Sequence, residues 1–85
     1  MKRIIETAEG GFELLLNEKI VLFCGVYIYT GVLSGVNDDH LELSDPKLVY
    51  ETGELNSGVW KDSQTLPAPW RVMLQSIESW GAAKC

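Results

Sequence analysis

A long apolar run is missing from this sequence. No stretch approaches the roughly 20 residues that a helix needs to cross a bilayer, so no membrane span is expected. Met1-Lys2-Arg3 is followed by only two apolar residues before Glu6, so no secretory leader is expected either. Histidine occurs once and cysteine twice. One histidine leaves little material for acid–base chemistry, and no Ser or Cys nucleophile motif is present. The G-x-x-x-x-G-K phosphate loop is absent, and so are calcium-loop and zinc spacings. No catalytic residues, metal site or cofactor are therefore expected, and an enzyme is the weakest class. Cys24 reads as a small apolar filler and Cys85 as a terminal residue, which suits a reducing, cytoplasmic setting.

Positive charge is also scarce. Seven Lys and Arg face twelve Asp and Glu, for a net charge of −5. The bases are scattered, with only Lys2-Arg3 adjacent. A sequence-independent nucleic-acid binder draws most of its affinity from phosphate neutralisation, and this chain has no basic stripe to supply it.

What is present is a single small domain. Its 85 residues, 46% of them hydrophobic and 22% charged, are ordinary for a folded chain. A chain this short buries a small core, so help from oligomerisation is plausible. Residues 1–10 give a mixed signal, in which Ile4-Ile5 could pack or the segment could be loose. The folded domain is expected over 11–81, followed by a tail at 82–85. Phe12, Leu15 and Leu16 share one helical face, which predicts a short helix stopped by Asn17.

From Lys19 the period changes to that of strands. Ile20–Cys24 is a β-rich run that ends at Gly25. Val26–Thr30 is β-branched or aromatic throughout. Gly31 and Gly35 fall inside the continuing strand, where glycine marks a bulge, a bend or a close backbone approach. Asn37-Asp38-Asp39 is a turn by composition. His40-Leu41-Glu42-Leu43 alternates, which turns Leu41 and Leu43 inward together with Leu33. Lys47–Glu51 either extends this strand or starts another after Pro46. Residues 52–69 form a long irregular stretch with Gly53, Gly58, Pro67 and Pro69, a loop of functional length. Within it Trp60 is expected to be buried as a lid rather than exposed. Trp70–Leu74 and Ile77–Trp80 are two further strand pieces, with Gln75-Ser76 between them.

The expected fold is mainly β: a small, strongly bent five-stranded antiparallel SH3-like barrel with a short N-terminal helix. From Phe12 to Gly81 the chain resembles the Sm-like (LSm) family, of the superfamily that includes Hfq-type RNA chaperones. The first motif of that family is matched by Gly25, Gly31 and Leu33 after Val21 and Phe23, with one residue more than usual between the glycines. The second is matched by Val72–Trp80, with Gln75-Ser76 where the family carries Arg-Gly.

The resemblance implies a homo-oligomeric ring, hexamer or heptamer, in which the strand around Trp70, Val72 and Leu74 pairs with the strand around Ile77 and Trp80 of the next copy. It also implies a site for single-stranded RNA at the pore, formed by Asn37, Asp38, Asp39, His40, Gln75 and Ser76. Two registers fit the loop. In one, Asn37 stands for the family's Asp, Asp39 for its stacking residue and Leu41 for its Asn. In the other these are Asp38, His40 and Glu42. Both lose the Asn, and Gln75 can hydrogen-bond a base without neutralising a phosphate. Asp38, Asp39, Glu42 and Asp45, repeated around a ring, would make an acidic rim that disfavours RNA. The alternative is a protein-interaction scaffold whose acidic rim and 52–69 loop, with Trp60, bind a basic partner.

Overall fold

The computed structural model describes residues 11–84. The expectations for residues 1–10 and for Cys85 lie outside the described residues. The elements run η1 (Phe12–Leu15), β1 (Lys19–Cys24), β2 (Ile28–Val36), β3 (His40–Glu51), β4 (Asp62–Thr65), β5 (Trp70–Met73), η2 (Leu74–Ser76) and β6 (Ile77–Ala82). All pairings are antiparallel, in the order β4-β3-β2-β1-β6, with β5 also on β3.

The expected helix is one 3₁₀ turn. Leu14 and Leu16 donate to the carbonyls of Gly11 and Glu13, both at 3.3 Å. Phe12 and Leu15 pack on the core, while Leu14 and Leu16 face outward. The turn goes no further because Leu16 leaves it with an extended ψ of 133° and Asn17 takes a φ of 70°. Asn adopts that left-handed region at less cost than other residues bearing a side chain. The reversed chain is then stitched to β2: Asn17 N–H donates to Leu33 O at 2.8 Å, and Leu33 N–H to Glu18 O at 3.0 Å.

The core is an alternating stripe. Ile20 and Leu22 of β1, Leu33 of β2, Leu41 and Leu43 of β3 and Val72 of β5 form one buried cluster. Burying each Leu or Ile contributes about 1.5–3 kcal/mol. Thr30, which is also buried, satisfies its hydroxyl by donating to Ile20 O at 2.7 Å.

Two bulges curve the β2–β3 pair. Between Thr30↔Lys47 and Val32↔Ser44, Gly31 on β2 faces both Asp45 and Pro46 on β3. Between Leu33↔Leu43 and Gly35↔Glu42, Ser34 is the extra residue on β2. A Cβ on Gly31 would lie 2.9 Å from Ser44 O and 3.2 Å from both Leu43 Cβ and Pro46 Cα. The glycine is therefore required by a close backbone approach. Asp45 takes a φ of 48°, and Pro46 sits buried where the bulge interrupts the ladder. A proline, which has no N–H, is tolerated at such a point.

The sheet is curled, and its path is not closed. β5 lies on β3 and β6 lies on β1, yet only the three residues of η2 join them. So short a link draws the two ends of the sheet toward each other over the shared core. Among the described residues no β5–β6 ladder closes the circle: where a strongly bent five-stranded barrel was expected, the strands form a curled, open six-stranded antiparallel sheet. The extra strand is β4, inside the stretch expected to be irregular. Its residues Asp62–Thr65 pair with Lys47–Glu51 but bury no side chain fully, so the piece carries no apolar alternation.

Candidate functional site

The tip between β2 and β3 is a tight hairpin, with Asn37 N–H donating to His40 O at 2.9 Å. The His40 ring is held on both sides. Its Nδ1 lies 2.6 Å from Asp39 Oδ1, and its Nε2 lies 3.1 Å from Asn37 Nδ2. In the Nδ1–H tautomer the ring donates to Asp39 and its Nε2 accepts from the Asn37 amide. The ring is thus oriented by its neighbours, and its side chain is 26% exposed.

The second piece reaches the tip through the ladder. His40 pairs with Met73, and Leu74 N–H donates to Asp39 O at 2.9 Å. That bond anchors η2 beside the hairpin. Between them lies a cleft of about 240 Å³ lined by Asp38, Asp39, Met73, Leu74 and Gln75. Of the residues singled out from the sequence, Asp38, Asp39 and Gln75 are brought together here. Asn37 and His40 stand beside them, tied to each other and to Asp39. Ser76 lines a different, mostly apolar cleft of about 420 Å³ with Cys24, Gly25, Val26, Tyr27 and Tyr29.

Electrostatically the tip cleft is acidic. Among the described residues no Lys or Arg lines it, and Asp39 is 72% exposed. Glu42 is opposed in the ladder by Arg71, which pairs with it at 3.2 Å, so this acid is compensated. Chemically the cleft offers carboxylate acceptors and one amide that can donate or accept. It suits ligands with N–H donors or positive charge, and it repels phosphate. Among the described residues no three of His, Cys, Asp and Glu gather around a common point for a metal ion. No described helix is long and apolar enough to cross a membrane.

The residues singled out for subunit pairing divide into three kinds. Val72 points into the core and is 4% exposed. Trp70, Leu74 and Ile77 are half-buried against that core. Trp80 is exposed and stacks on Phe12, with ring centroids 4.3 Å apart.

Two groups outside the tip carry shifted titrations. Burial pushes the Cys24 thiol above its ordinary value, and the Glu78 carboxylate adds to this. Burial likewise raises the Tyr29 phenol, with the charges of Cys24 and Tyr27 as lesser causes.

Sequence reasoning missed a second polar cleft, of about 310 Å³, on the outer face of the sheet, where Lys19, Lys47 and Trp60 meet. Lys19 and Lys47 are far apart in sequence and come together only through the β1–β2–β3 register, so no local signal could have found them. Trp60 is half-buried, as expected, but as a wall of this cleft. In comparisons with known proteins, no family model, curated sequence or solved structure matches the chain.

Proposed function

We propose that the chain is a non-catalytic Sm-like module, a small bent barrel behind a short helical turn, whose copies close into a ring of six or seven. The observation that carries this reading is the pair of free edges. Among the described residues β5 is bonded only to β3, and β6 only to β1. Exposed edges of this kind invite pairing with another chain, and a closed ring of heterologous contacts satisfies every one of them. The half-buried Trp70, Leu74 and Ile77 and the exposed Met73 and Trp80 offer apolar surface along the same edges. A cytoplasmic setting goes with this reading.

In such a ring the Asp38–Asp39–Gln75 cleft would repeat around the pore. Single-stranded RNA is the ligand that the family resemblance suggests, through bases stacked and hydrogen-bonded at His40 and Gln75. A second reading is favoured by the two carboxylates in a cleft that no described cation lines. On that reading the ring is a scaffold whose acidic rim binds a basic protein segment. Titration with short U-rich and A-rich oligonucleotides at low salt separates the two. Saturable binding at tens of micromolar, weakened by His40→Ala and Gln75→Ala, supports RNA. Absence of binding at that level sinks RNA and leaves the acidic scaffold.

A further inference from the structure

The cleft around Trp60 is built by two adjacent cross-strand rows on one face of four strands. Lys19 on β1 pairs with Val32 on β2, and Thr30 on β2 pairs with Lys47 on β3. Lys47 pairs in turn with Thr65 on β4. These residues alternate with Ile20, Gly31 and Leu33, which face the core, so both rows lie on the outer face of the curled sheet. Trp60 arrives from the loop before β4 and lines the same cleft, of about 310 Å³. That volume is at the lower end of small-molecule sites, which run from about 300 to 1,000 Å³.

Three features point to a ligand. First, Lys19 and Lys47 form no ion pair with another described residue, although Asp45 lines the same cleft. Its described lining carries two cations against one acid, the reverse of the chain's overall balance. Second, the Nε1–H of Trp60 is shielded from solvent and has no acceptor among the described residues. A buried unpaired donor is unfavourable, and a small shift of the indole toward an acceptor would relieve it. Third, the indole also lines a neighbouring cavity of about 230 Å³ with Gly58, Val59 and Ser63. Gly58 holds a φ of 88° in the segment that delivers the indole. The ring thus has space on a second side into which to adjust.

We propose that this cleft binds a small organic anion, with a carboxylate or phosphate head between Lys19 and Lys47 and a flat, partly apolar body against Trp60. The site is separate from the tip cleft and does not depend on ring assembly. Thr30 is committed to Ile20 O, so head-group recognition falls to the two ammonium groups and to Thr65.

The test uses the full chain labelled with nitrogen-15, in which the Trp60 indole N–H resonance is identified by its loss in Trp60→Phe. Indole-3-acetate and uridine 5′-monophosphate are titrated separately, with indole and uridine as neutral counterparts. The expected result is a saturable shift of the Trp60 indole resonance with an anion, in the micromolar to low millimolar range. The anion that binds more tightly identifies the head group as carboxylate or phosphate. Lys19→Gln combined with Lys47→Gln is expected to weaken that binding by about tenfold or more, because charge-assisted hydrogen bonds are lost. Both lysines are exposed, so the variant should keep the wild-type spectrum away from the cleft. No shift with either anion at millimolar concentration, equal binding of the neutral counterparts, or unchanged affinity in the double variant would each overturn the proposal.

Discussion

The two ends of the β2–β3 pair differ in what constrains them. At the crossing of Gly31 over Asp45 and Pro46, backbone meets backbone and no room is left for a Cβ. At the tip, Asn37, Asp38 and Asp39 are exposed, and order comes from hydrogen bonds around His40. One hairpin therefore carries a steric end, where residue type is dictated by shape, and a polar end, where many residue types would fold equally well. The tip residues are free to carry function, whereas at the first end only outward side chains such as Asp45 and Lys47, which line the outer cleft, have that freedom.

Substitutions can break this comparison. The largest effect is expected beside the steric end. Leu33→Ala should lower the unfolding free energy by about 3 kcal/mol, read as a fall in the urea midpoint. The glycines then form a graded series. Gly31→Ala should cost about 2 kcal/mol, because backbone and core atoms must move. Gly35→Ala should cost less than about 1 kcal/mol, since its closest neighbour is Glu42 Cβ at 3.3 Å. Gly25→Ala meets nothing within 4 Å and should be neutral or slightly stabilising. Equal losses across the three would show that the crossing is no tighter than the rest of the strand. At the polar end, Asp38→Asn and His40→Ala should each change stability by no more than about 0.5 kcal/mol in the same urea experiment. A loss as large as that of Gly31→Ala would make the tip part of the framework.

The smallest effect concerns pH. The Cys24 thiol and Tyr29 phenol are raised in the folded state, so the fold holds their protons more tightly than the unfolded chain does. Their contribution is fully present below the ordinary values of 9.0 and 10.0 and is lost as pH rises through the raised ones. The melting temperature should therefore be insensitive to these two groups near neutrality and decline in the alkaline range. Tyr29→Phe combined with Cys24→Ala should make that decline shallower.

The same contrast explains what the sequence made legible. Strand runs, the inward Leu33, Leu41 and Leu43, the reversal at Asn17 and the close backbone approach at Gly31 all leave local signals, because sterics and burial restrict residue type there. Asp62–Thr65 left none: an exposed edge strand needs no apolar alternation. The helical face at Phe12 and Leu15 was visible, but not that one 3₁₀ turn would suffice, which depends on where Asn17 turns the chain. At the candidate site, composition marked the Asn37–His40 turn and Gln75. It could not reveal that His40 is bracketed by Asp39 and Asn37, nor that Ser76 joins the Tyr27 and Tyr29 cleft instead. The outer cleft was invisible for the same reason, since cross-strand register and not sequence proximity assembles Lys19, Lys47 and Trp60.

The most direct measurement of the central claim is the mass of the particle in solution at micromolar concentration, by light scattering after size separation. If the free edges of β5 and β6 pair between copies, the mass will be six or seven times the 9.5 kDa of one chain. Trp80→Pro, at a residue whose N–H points to the free side of β6, should then reduce it. A single species of 9.5 kDa for the unaltered chain would contradict the ring and with it the reading of the tip cleft as a pore.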